Sequence, residues 1–198
     1  MFQIQKIKTV ELPSVKLLSE CLDNYDSNDG IFKSSNCDKL YMSDDYDGDN
    51  YATISLEHCE LTKLKDEKIL NYLKDSVEYI KTEYGAKVIW LNVFIPNTKL
   101  FFHTDHSKNR HLLTLNENER FFNYECFVIY PDTSENKINH LNQKLDVNDL
   151  DNFNDYFLKM GNTKIINLEK NSVYTFGNTV HTFINGSNKL RCAFVFDC

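Results

Sequence analysis

The stretch "AKVIWLNVFIPNTKLFFHTDHSKNRHLLTL", residues 86–115, decides how the rest of the chain is read. Its first part is an apolar run of β-branched and aromatic residues, Val88 to Ile95, broken only by Asn92. That composition predicts a strand buried on both faces. After Pro96 the character changes: His103, Asp105, His106, Arg110 and His111 fall within a few residues of one another. Titratable side chains rarely gather where a chain is building a core. In a strand, residues two apart point the same way, so His103 and Asp105 share one face and Thr104 takes the other. An imidazole and a carboxylate on a common face make two adjacent metal ligands.

Upstream, "DEKILNYLKDSVEYIKTEYG" (66–85) predicts a helix. Ile69, Leu73, Val77 and Ile80 follow helical spacing, and Gly85 is a suitable terminator. "MFQIQKIKTVEL" predicts an opening strand, and Ser14 after Pro13 is placed to cap a short helix through "VKLLSECLDNY". The acidic stretches "DNYDSNDG" and "SDDYDGDN" read as solvated loops. Downstream, "ERFFNYECFVIYP", "TKIINLEKNSVYTF", "HTFING" and "KLRCAFVFDC" continue in strand style. A polar insertion, 132–160, interrupts them, with Leu150, Phe153 and Phe157 predicting a short helix before Gly161. A long segment between strands is also a candidate lid. Helices first and many short strands afterwards predict a mainly β, α+β fold: a sandwich or barrel with helices packed outside. No repeat or linker divides the chain, so 1–198 reads as one domain, with 1–85 supporting a core over 86–198.

At 198 residues, 41% hydrophobic and 26% charged, the chain can bury a sizeable core. A net charge of −7 argues against non-specific nucleic-acid binding, which depends on Lys and Arg neutralising phosphates. No stretch approaches the roughly 18 apolar residues of a membrane span, and the N-terminus is not built like a signal peptide. The expectation is a cytoplasmic protein. Its six cysteines show no close-spaced pair and read as reduced, mostly structural thiols.

A third ligand to complete the set must come from elsewhere, and His181 is the best candidate, 76 residues after Asp105. Two histidines and a carboxylate on one triangular face form the ligand set of non-haem Fe(II) oxygenases. Arg191, ten residues after His181, strengthens the pattern. A turn at "NGSN" predicts two antiparallel strands that bring His181 and Arg191 to one cavity. A guanidinium suits a carboxylate through two parallel hydrogen bonds. His58 and His140 read as solvent-exposed, Trp90 as core, and Asn185 as a turn former.

"FIPNTKLFFHTDHS", "RHLLTL" and "NSVYTFGNTVHTFINGSNKLRCAFVFD" together resemble the 2-oxoglutarate/Fe(II)-dependent dioxygenases. Within them the chain is most similar to the aspartyl/asparaginyl β-hydroxylase branch, which includes some proline hydroxylases. There a proline-containing turn precedes H-x-D, and a later segment runs histidine, asparagine, arginine, here His181, Asn185 and Arg191. The resemblance spans about residues 90–198. It implies a double-stranded β-helix (jelly roll, cupin-like), Fe(II) held by His103, Asp105 and His181, and Arg191 on the distal carboxylate of 2-oxoglutarate. It also implies a second basic residue beside that cosubstrate, either Arg110 or His111, which alternate in facing. The implied reaction hydroxylates an amino acid, free (as proline) or in a peptide (Asp, Asn or Pro), with release of succinate and CO2. Asp197 stands where nucleobase-repair relatives carry a second arginine, and Arg191 where collagen-type prolyl hydroxylases carry lysine; both speak against those branches. The competing readings are a non-enzymatic jelly-roll binding protein and a cupin-type metal protein that does not use 2-oxoglutarate.

Overall fold

The computed structural model describes residues 4–23, 51–55, 66–94, 98–99, 102–103, 107, 109–115, 126–130, 135–144, 164–166, 168–176, 180–185 and 191–198. In chain order these form β1 (Ile4–Thr9), α1 (Pro13–Asp23), β2 (Tyr51–Ser55), α2 (Glu67–Tyr84), β3 (Val88–Phe94), β4 (Thr98–Lys99) and β5 (Arg110–Thr114). They continue as β6 (Cys126–Tyr130), α3 (Glu135–Lys144), β7 (Lys164–Ile166), β8 (Ser172–Phe176), β9 (Val180–Asn185) and β10 (Arg191–Asp197).

The predicted helix over 66–85 forms with both ends satisfied. The Asp66 carboxylate accepts from the Lys68 and Ile69 backbone N–H groups at 3.0 and 3.1 Å, meeting donors that the first turn leaves open. Gly85 ends the helix at φ 63°, a left-handed conformation that glycine adopts without Cβ strain, and its N–H reaches the Lys81 carbonyl. The first helix begins one residue earlier than its expected cap. Pro13 is itself the first helical residue, where its fixed φ helps and its missing N–H costs nothing, so Ser14 lies inside the helix.

Among the described residues the strands form two antiparallel sheets. One has the order β1-β8-β5-β10-β3-β2, the other β4-β9-β6-β7. From β3 onward the chain crosses between sheets at nearly every step: β3, β5, β8 and β10 lie in the larger sheet, β4, β6, β7 and β9 in the smaller. This corrects the expected hairpin at "NGSN". Strands β9 and β10 do not pair with each other; β9 sits between β4 and β6, and β10 between β5 and β3. "TKIINLEKNSVYTF" likewise gives two strands in different sheets, separated by a turn with Asn171 at φ 51°.

Strand alternation divides the larger sheet into two faces. On one, Ile89, Leu91, Leu113, Val173, Cys192, Phe194 and Phe196 pack with Leu18, Leu22, Leu73 and Ile80 from α1 and α2. The other face presents Leu112, Tyr174, Phe176, Ala193 and Val195, with Trp90 packed against them. Strand β3 is therefore not buried on both faces as its composition predicts. Ile89 and Leu91 are fully buried under the helices, whereas Val88, Trp90 and Asn92 are half-buried. In the insertion, α3 occupies 135–144, where the polar sequence predicted no element. The expected helix at Leu150, Phe153 and Phe157 lies outside the described residues. No helix among the described residues is long and apolar enough to cross a membrane.

Candidate active site

His103 and His181 come together across the smaller sheet. Each donates its backbone N–H to the other's carbonyl, at 3.1 and 3.0 Å, so they are directly opposite in an antiparallel bridge. Opposed residues project to the same side. Their ring centroids are 4.4 Å apart, with planes at 55°. This spacing suits one shared ion: with metal–nitrogen bonds of about 2.1 Å, two imidazoles bound at right angles have ring centres about 4.6 Å apart. His181 is buried and His103 half-buried. The Phe176 ring meets His181 edge-on at 5.0 Å, from the opposite sheet. The pair thus looks into the space between the sheets. Asp105, the third expected ligand, lies outside the described residues, as does His106.

Arg191 opens β10 and is 4% exposed. It alternates with Cys192, Phe194 and Phe196, which pack on the helices, and so shares its face with Ala193 and Val195, toward the space between the sheets. The route to this placement differs from the expected hairpin. Because β9 and β10 belong to opposite sheets, His181 and Arg191 are carried toward a common interior from two sides.

Arg110 and His111 separate. His111 faces the helices: it stacks on Phe196 at 5.3 Å and 11°, tilts against Tyr84 at 6.0 Å, and its Nδ1 lies 2.9 Å from the Asn109 carbonyl. Burial pushes the neighbouring Tyr84 hydroxyl up to about 12, so it stays protonated and neutral at ordinary pH. His111 is therefore on the wrong side of the sheet to reach a ligand beside Arg191. Arg110 is on the inner side. Its Nε and Nη2 donate to Asp197 Oδ1 and Oδ2 at 2.8 and 2.9 Å, a two-pronged pair, and its guanidinium carbon lies 4.9 Å from the Trp90 ring centre.

Two features here were not legible beforehand. Trp90 read as core and Asp197 only as a mark against one branch, yet the two hold Arg110 in place. No local spacing signals this, because 87 residues separate Arg110 from Asp197. Nothing in the spacing of Phe176 marks it either; its contact with His181 joins strands of different sheets. His140 is exposed, as expected, and His58 lies outside the described residues. Among the described residues Cys21, Cys192 and Cys198 are not joined in a disulfide.

No protein-family model matches the chain, and no curated protein sequence does. Solved structures do. A prolyl hydroxylase from Trichoplax adhaerens, in complex with a hypoxia inducible factor oxygen degradation domain peptide fragment, aligns over 100% of this chain and 84% of its own, with TM-score 0.57 and 9% identity. A Pseudomonas putida prolyl-4-hydroxylase aligns over 100% and 93%, with TM-score 0.50 and 10% identity. The non-heme alpha ketoglutarate dependent carbocyclase SnoK from nogalamycin biosynthesis aligns over 98% and 78%, with TM-score 0.52 and 13% identity. At such identities the likeness establishes a shared fold.

Proposed function

We propose that this protein is an Fe(II)- and 2-oxoglutarate-dependent dioxygenase that hydroxylates an amino acid, free or within a peptide. The observation that carries the proposal is the His103–His181 bridge, with both imidazoles on one side and 4.4 Å between ring centres. The fold adds support: two antiparallel sheets, ordered β8-β5-β10-β3 within the larger and β4-β9-β6-β7 in the smaller, are compatible with the double-stranded β-helix reading. The structures sharing the fold include two named as prolyl hydroxylases and one as dependent on alpha ketoglutarate.

In this reading His103, Asp105 and His181 would hold the iron, the ligand set of non-haem Fe(II) oxygenases. Bound iron would supply the activation of O2 that couples decarboxylation of 2-oxoglutarate to hydroxylation. Arg191 would grip the distal carboxylate of 2-oxoglutarate. Its guanidinium is permanently charged and the residue is only 4% exposed, so a fork-to-carboxylate contact there is little screened by water. Phe176 braces the His181 ring and excludes water on that side. The Arg191 clamp and the His181, Asn185, Arg191 spacing favour the aspartyl/asparaginyl β-hydroxylase branch.

Succinate release from 2-oxoglutarate by the Fe(II)-loaded protein tests the proposal. The expected result is release that requires both iron and O2. Metal binding with no effect of 2-oxoglutarate would replace it with a cupin-type metal protein. Neither metal nor 2-oxoglutarate binding would leave a non-enzymatic jelly roll.

A further inference from the structure

Trp90, Arg110 and Asp197 form a second polar constellation on the inner face of the larger sheet. Arg110 shares its face with Leu112, and Asp197 with Val195, both members of the inner apolar cluster that Trp90 also joins. The constellation lies toward the histidine pair. In the β5–β8 register His111 opposes Thr175, so one further step sets Arg110 beside Phe176. The Thr175 hydroxyl, which donates to the Arg110 carbonyl at 3.5 Å, marks the same level. Phe176 in turn touches His181. Arg191 opens β10, and Asp197, the ion-pair partner of Arg110 on β5, ends it. Arg191 and Asp197 are separated by about 20 Å at roughly 3.3 Å per residue.

The charges are fixed in place. The Arg110 guanidinium is forked to Asp197 and stacked over Trp90, and the two side chains are 13% and 25% exposed. A half-buried pair of this kind carries no net charge but a large local dipole. It disfavours a ligand with net charge of either sign. It favours one that brings a carboxylate to the Arg110 side and a cation to the Asp197 and Trp90 side. Full charges gain more there than amide dipoles do, because partial burial strengthens Coulomb attraction.

Resting on the dioxygenase reading above, we infer that Trp90, Arg110 and Asp197 form the prime-substrate subsite, and that its ligand is a free zwitterionic α-amino acid rather than a residue inside a peptide. Arg110 takes the α-carboxylate, and Asp197 with the Trp90 ring takes the α-ammonium. Arg110 then serves the substrate in place of a second contact to 2-oxoglutarate.

Trp90 is the only tryptophan in the chain, so its fluorescence reports on this subsite directly. The wild-type protein, with Mn(II) and 2-oxoglutarate present, is titrated with a panel of free α-amino acids and then with their N-acetyl methylamides. The expected result is a saturable fluorescence change with at least one free amino acid, and binding of its blocked form at least about ten-fold weaker, the scale of one lost charged contact. Asp197→Asn and Arg110→Lys should each weaken the free amino acid by a similar factor, with melting temperatures near wild type. Blocked forms binding as well as free ones would overturn the inference in favour of a peptide substrate. No response to any free amino acid, or an unchanged response in well-folded variants, would overturn it too. Calorimetry of Mn(II) and 2-oxoglutarate on the same wild-type sample separates the two levels. If they bind and amino acids do not, only the subsite fails; if they do not bind, the dioxygenase reading fails with it.

Discussion

The two faces of the larger sheet are built by the same strands and do opposite things. Toward the helices, Ile89, Leu91, Leu113, Phe194 and Phe196 are fully buried among apolar neighbours. Toward the smaller sheet, the alternate residues of those strands include Trp90, Arg110, Arg191 and Asp197, with two charged groups on β10 alone. A single strand thus alternates core and chemistry with period two. The helix face can be optimised for packing because nothing needs to enter it. The inner face keeps charge at positions where burial is costly, and where the histidine pair looks in.

This contrast can be broken in several ways. The largest effect should come from the bridge. His181→Ala or His103→Ala is expected to abolish iron-dependent succinate release while leaving far-UV circular dichroism unchanged; full turnover in either variant would remove the metal assignment. Next comes the helix face. Phe194→Ala should cost about 3–5 kcal/mol of stability, as deletion of a fully buried aromatic does. Urea unfolding would measure this, and 2-oxoglutarate affinity at low temperature should hardly move. A large change in affinity with little loss of stability would mean that the two faces are not separate in function.

Arg191→Ala should act the other way round. Loss of a charge-assisted contact costs about 1.5–3 kcal/mol, so 2-oxoglutarate should bind roughly ten-fold to a hundred-fold more weakly. Metal affinity should persist, and Arg191→Lys should recover part of the loss because charge remains without the fork. Wild-type 2-oxoglutarate binding in Arg191→Ala would end the clamp assignment. The smallest effect is remote from both faces: Asp66→Ala removes a helix cap and should lower stability by about 1 kcal/mol. A change in succinate release beyond that loss of folded protein would tie α2 to the site.

The sequence by itself determined the local devices. Helix α2 was legible to within a residue, because its apolar spacing, its aspartate cap and its glycine stop all act over a few positions. The strand character of β6, β8, β9 and β10 was legible for the same reason, and His103, His181 and Arg191 stood out as candidates from their types and spacing. Tertiary structure decided what these devices face. Nothing local tells a chain at "NGSN" whether to fold back as a hairpin or cross to another sheet, since the same turn residues serve both. Only the competition among strands for partners places β10 between β5 and β3. That choice turned His111 toward the helices and Arg110 inward, because a one-residue step in a strand reverses its side. It also brought Asp197 to Arg110 and Phe176 to His181, contacts between distant segments whose energies depend on the folded geometry and leave no periodic trace in the sequence.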